Sequence, residues 1–153
     1  NFIEIIGDRF SSTVKEILHL AKLIKANVSL ENISINEVEK RNSLALKTPT
    51  STLPFLETKD GAISESRAIE YYLCTKYKPE FLGDKEFGRA KVNQWIEFAT
   101  HEINECNQAI IYPIFGWNNF CKESFDKCST KIKDHLKILE KELSQNEYIT
   151  GKE

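Results

Sequence analysis

Two short runs of hydroxyl side chains stand where apolar-periodic stretches begin, and these are the residues best placed to do chemistry. Ser11-Ser12-Thr13 precedes Val14, Ile17, Leu18, Ala21 and Ile24, which recur at three- and four-residue steps. Ser64-Glu65-Ser66 precedes Ala68 and Ile69. A helix start leaves its first N–H groups unpaired and carries the positive end of the helix dipole, so serines there form an anion site. The same oxygens also serve as caps: Ser64 and Ser66 suit the free N–H groups, Glu65 suits the dipole, and Thr13 with Glu16 fits a capping box. Other candidate groups are dispersed. Cys74, Cys106, Cys121 and Cys128 include no C-x-x-C pair and lie in helical segments or at their borders, so neither a metal centre nor a disulfide frame is expected. His19, His101 and His135 form no i, i+4 pair and read as helix-surface residues rather than ligands or bases.

The elements that must position these side chains follow from periodicity. Phe2 to Ile6 is a short apolar run ending in Gly7-Asp8, a first strand and turn; a helix over about Thr13 to Ala26 follows. Asn27 to Ile35 alternates and carries β-branched residues, a second strand, and a polar segment through Arg41 comes next, with a helical turn over Ser43 to Leu46. Thr52 to Thr58 is a third strand in which Pro54, unable to donate to a ladder, belongs at the start or edge. Lys59-Asp60-Gly61 supplies a hairpin, and a helix runs from Ser64 to Tyr77, ended by Lys78-Pro79. Beyond a linker-like stretch the pattern is helical only. Val92, Trp95, Ile96, Ala99 and Ile103 form one stripe over Arg89 to Asn107, and Pro113 with Gly116 interrupts the next apolar stretch. Phe125, Cys128, Ile132, Leu136, Leu139 and Leu143 share a face of a helix over about Phe120 to Leu143. The aromatic residues of these stripes are expected in the core.

Composition excludes several classes. Lys plus Arg number 21 against 23 Asp plus Glu, a net charge of −2, and no basic block is long enough for a nucleic-acid stripe. No apolar run approaches the roughly 20 residues of a membrane span, and the start lacks the basic and long apolar regions of a signal peptide. The expectation is a soluble, cytoplasmic protein. The lack of methionine and the final Tyr148-Ile149-Thr150-Gly151-Lys152-Glu153, which reads as a continuing segment, point to a fragment of a longer chain.

The Leu53-Pro54 strand, the hairpin and Glu65-Ser66-x-Ala68-Ile69 together resemble the glutathione transferase superfamily. The order β-α-β-α-β-β-α is thioredoxin-like. The resemblance implies an α/β thioredoxin-like domain over 1–78, a linker over 79–87 and an incomplete all-α domain over 88–153. It implies a cis bond before Pro54 and glutathione-binding roles for Leu53, Pro54, Glu65 and Ser66. The Ser66 hydroxyl and helix N–H groups would take the γ-glutamyl carboxylate, and Glu65 its ammonium. Ser11 and Ser12, with Thr13 beside them, occupy the region that supplies the thiol-activating hydroxyl, and are the catalytic candidates as well as caps. The loop Pro49-Thr50-Ser51-Thr52-Leu53-Pro54 departs from the family's common pattern, with Thr52 where a lysine would offer a cation.

Within the superfamily, Gln94-Trp95-x-x-Phe98-Ala99-x-x-Glu102-Ile103, Tyr112-Pro113-x-x-Gly116 and Tyr148-Ile149-Thr150-Gly151 resemble the amino-terminal domain of translation elongation factor 1-gamma. That resemblance implies a non-catalytic or weakly catalytic role: anchoring the exchange subunit of elongation factor 1 and assembling with other subunits of the elongation complex. A homodimer is a further expectation. No cofactor is required, and glutathione is the ligand or co-substrate to test. Two readings compete: an active glutathione transferase conjugating glutathione to electrophiles, and a docking module of an aminoacyl-tRNA synthetase complex.

Overall fold

The computed structural model describes residues 3–34 and 36–151. Phe2 and Ile35, at the outer ends of the first two expected strands, and Lys152-Glu153 lie outside the described residues. The chain divides into two compact units between Leu82 and Gly83.

The first unit runs β1 (Ile3–Gly7), α1 (Ser12–Leu23), β2 (Ser29–Asn32), α2 (Val38–Ala45), β3 (Phe55–Thr58), β4 (Gly61–Ser64) and α3 (Ser66–Tyr77). The strands lie in the order β2-β1-β3-β4, with β1 and β2 parallel and the other two pairs antiparallel. This is the expected thioredoxin-like arrangement. Alternation along the strands separates two cores. Ile3, Ile5 and Leu56 pack with Val14 and Ile17 of α1 and Ile69 and Leu73 of α3. Ile6 and Phe55 face the other way, packing with Ile33 and with Leu44 of α2.

Local details depart from expectation for identifiable reasons. Glu16 does not join Thr13 in a capping box; α1 has no side-chain cap, and Glu16 instead pairs with Arg67 of α3 at 3.1 Å. The helix stops at Leu23 rather than Ala26, because Lys25 turns left-handed (φ 55°) and the Ala26 N–H returns to the Ala21 carbonyl at 2.8 Å. The polar segment and helical turn are one helix, α2, which buries Ala45 and is anchored by an ion pair from Lys40 to Glu31 at 3.0 Å. At the hairpin, Thr58 Oγ1 accepts from the Asp60 N–H and donates to the Gly61 carbonyl, and Gly61 has φ +133°. The Leu53–Pro54 bond is cis, and the ladder begins only after it.

Pro79–Leu82 form a 3₁₀ turn after α3. In the second unit, α4 (Glu86–Phe98) is followed by π-type turns over Ala99–Ile103, a 3₁₀ turn over Asn104–Cys106 and the short α5 (Asn107–Ile110), where one uniform helix was expected. A 3₁₀ turn at Tyr112–Phe115 ends on Gly116 with φ 70°, and α6 spans Lys122–Gln145. The half-covered face of α6 runs through Phe125, Cys128, Ile132, His135 and Leu139, whereas Leu136 and Leu143 stay exposed. His135 is therefore not a surface residue: its ring packs on Phe98 at 5.3 Å, and its Nδ1 lies 3.3 Å from the Glu102 carbonyl.

Candidate functional site

Strand register brings the sequence-predicted residues of the first unit to one end of the sheet. Phe55 pairs with Ile6 on one side and Ser64 on the other, so Pro54 stands between Gly7 and Glu65. The fit at Gly7 is close. A Cβ there would come within 2.8 Å of Val14 Cγ2 and 3.0 Å of Pro54 Cβ, which sets Pro54 against the turn leading into α1. Ser11 is the residue at the start of α1, fixed by its N–H to the Asp8 carbonyl at 2.9 Å and by its own carbonyl, which accepts from Lys15.

On the other side, Glu65 takes the N-terminal position of α3 with φ 67° and ψ 120°. Its carbonyl accepts the first helical bond, from Ile69 N–H, so the amides of the first turn are left for a ligand or solvent. The expected capping bonds are absent: neither α1 nor α3 has a side-chain cap, and no hydrogen bond engages the hydroxyls of Ser11, Ser12, Thr13, Ser64 or Ser66 among the described residues. Glu65 is exposed and without an ion-pair partner among them. Hydroxyls and a carboxylate at two helix starts, with no internal partners, can receive an external ligand.

A small ion network ties the two helix starts together. Arg67 Nη1 lies 2.6 Å from Glu70 Oε2 and 3.1 Å from Glu16 Oε1. Burial works against the Arg67 charge, but Glu70 and Glu16 more than offset it and hold its pKa above the ordinary value. For Glu70 the balance is opposite: burial pushes the carboxyl up, Glu16 adds to this, and Arg67 opposes it. Glu70 Oε1 is buried with no partner among the described residues. Burial, with Glu70 nearby, likewise pushes the Cys74 thiol up, which marks it as a packing residue.

Sequence reasoning placed only a helical turn over Ser43 to Leu46 and missed the extent of α2, which begins at Val38. A cavity of about 220 Å³ beside Leu53 is lined by Arg41 and Asn42 of α2 and by Ser51 and Thr52. The signal was the Arg41, Leu44, Ala45 spacing, obscured by the surrounding charges and by Val38, which is exposed. Ser51, with φ 52°, shapes the loop, and Thr50 and Thr52 share a hydroxyl hydrogen bond at 2.9 Å. Among the described residues no cluster could hold a metal ion, and no helix is long and apolar enough to cross a membrane.

Residues 8–81 match the family described as "Glutathione S-transferase, N-terminal domain". The whole chain superposes on a solved glutathione S-transferase-I bound with lactoylglutathione, with a TM-score of 0.86 at 23% identity, covering 100% of this chain and 76% of that one. The chain has the fold of a glutathione transferase. A probable glutathione S-transferase of rice (Oryza sativa subsp. japonica) is 26% identical over 159 residues, spanning 97% of this chain and 73% of the rice protein. Elongation factor 1-gamma of Artemia salina is 28% identical over 116 residues, 75% of this chain but 26% of that protein. The special closeness to elongation factor 1-gamma expected from the helical motifs is thus shared with plant transferases, which match over more of both chains.

Proposed function

We propose that this chain is a glutathione transferase domain that activates the glutathione thiol with the Ser11 hydroxyl. The observation that carries the reading is that the turn into α1 and the start of α3 flank Pro54, both helices uncapped and their serine hydroxyls without a hydrogen bond among the described residues. In this reading the N–H groups of α3 and the Ser66 hydroxyl take the γ-glutamyl carboxylate, and Glu65 takes the ammonium. The backbone at Leu53 and Pro54 pairs with the cysteinyl unit. Arg41, lining the cavity beside Leu53, meets the remaining carboxylate. Ser11 donates its O–H to the sulfur, which favours thiolate, and the thiolate attacks an electrophile. Ser11 is preferred to Ser12 because it is half-buried at the helix start, whereas Ser12 is exposed.

The test is a conjugation assay beside calorimetry with glutathione. Ser11→Ala should lower turnover by about ten- to hundredfold, the loss of one hydrogen bond to a charged group, with little change in glutathione affinity. Turnover indifferent to both Ser11→Ala and Ser12→Ala would remove the enzyme reading. The second reading, an anchor for the exchange subunit of elongation factor 1, is supported by the elongation factor relatives. One of them, from Drosophila melanogaster, is 35% identical over 88 residues.

A further inference from the structure

The second unit contains a thiol cluster that the transferase reading does not use. Helix α6 runs antiparallel against residues 99–110: Lys131 Nζ reaches Glu102 at 3.0 Å and Glu105 at 3.3 Å, and His135 faces the Glu102 carbonyl. One turn earlier on α6, the same register sets Cys128 opposite Cys106. The two thiols line one cavity of about 460 Å³, and the Cys106 thiol donates to the Glu102 carbonyl at 3.9 Å. Glu105, Gln108, Asn118, Lys127 and the exposed Cys121 also line it, and Lys127 has no ion-pair partner among the described residues. Cys106 is 1% exposed, and Cys128 is half-buried.

We propose that Cys106 and Cys128 form a reversible disulfide site whose oxidant is a small anionic disulfide of the glutathione disulfide type, admitted by this cavity. The amides and the Lys127 ammonium suit the peptide groups and carboxylates of such a molecule. Cys128, the accessible thiol, attacks first as thiolate. A bond forms between its sulfur and one sulfur of the oxidant, the oxidant's S–S bond breaks, and one thiolate leaves. Cys106 then attacks the Cys128 sulfur and expels the second thiolate. Two protein thiols are oxidised to one disulfide, the oxidant is reduced to two thiols, and the two protein protons end on them. Burial pushes the Cys106 thiol up, and Cys128 beside it adds to this, in keeping with the accessible Cys128 attacking first. The bridge would staple the segment before α5 to α6.

The test equilibrates the folded full chain with glutathione disulfide, quenches with acid, and reads intact and peptide masses. The wild type should lose two hydrogens and yield one Cys106–Cys128 cross-linked peptide. Cys106→Ser should instead hold one glutathione on Cys128, and Cys121→Ser should leave the bridge unchanged. A persistent glutathione adduct on wild-type Cys128, a bridge to Cys121, or oxidation confined to Cys121 would overturn the proposal. The wild-type map alone decides between these outcomes, even where a serine variant does not fold.

Discussion

At the scale of single residues, the proposed site depends on the Glu65 carboxylate and on serine hydroxyls that make no hydrogen bond among the described residues. Glu65 offers a charge to an ammonium, so Glu65→Gln should weaken glutathione binding by roughly ten- to hundredfold in calorimetry while leaving the melting temperature nearly unchanged. Arg41→Ala should weaken the same binding through loss of a cation beside Leu53, and an unaltered affinity would move the remaining carboxylate elsewhere. Glu70 gives a pH dependence with a definite sign. Its folded pKa is raised above 4.5, so the folded state binds the proton more tightly than the unfolded one. The stability this contributes is fully present below 4.5 and is lost as pH rises through the folded value. Arg67 stays charged throughout and adds no slope of its own. Melting curves of Glu70→Gln should therefore gain on the wild type as pH increases across that interval, and parallel curves would contradict the assignment.

At the scale of elements, backbone approach matters as much as side-chain pattern. Gly83 has φ +92°, and a Cβ there would stand 2.5 Å from the Arg89 nitrogen and the Gly88 carbonyl carbon at the start of α4. Gly83→Ala must accept both a left-handed backbone and a clash with backbone atoms that cannot step aside. A loss of about 2–4 kcal/mol in urea unfolding is expected. Helix α2 shows the complementary lesson: Leu44 and Ala45 secure a helix whose other residues are mostly charged. The ion network of Arg67 acts between elements, holding the first turns of α3 to α1.

At the scale of the whole molecule, the chain spans 73% of its rice transferase relative and 26% of the Artemia elongation factor, so activity and assembly are separable questions. Affinity capture from a cytosolic extract with the full-length protein should distinguish them. A catalytic protein should show conjugation without enrichment of the exchange subunit of elongation factor 1. Stoichiometric recovery of that subunit, with turnover indifferent to the Ser11 and Ser12 changes, would reverse the order of the two readings. The net charge of −2 gives either protein no general attraction to nucleic acid.

The sequence by itself determined the order of strands and helices in the first unit, because two-residue alternation, three- and four-residue steps and the Asp60-Gly61 turn are local signals. It also singled out Ser11, Ser12, Leu53, Pro54, Glu65 and Ser66, since helix starts and a proline before a strand can be read along the chain. The tertiary structure decided what those residues are free to do. Whether a serine at a helix start caps that helix depends on its own rotamer and neighbours, and here Glu16 is drawn away to Arg67 while the hydroxyls make no hydrogen bond among the described residues. It likewise decided that Arg41 lines the cavity beside Leu53, that His135 packs on Phe98, and that Cys106 meets Cys128. Each of these is a contact between separate elements, and no spacing along one element encodes which side of a neighbour it will meet.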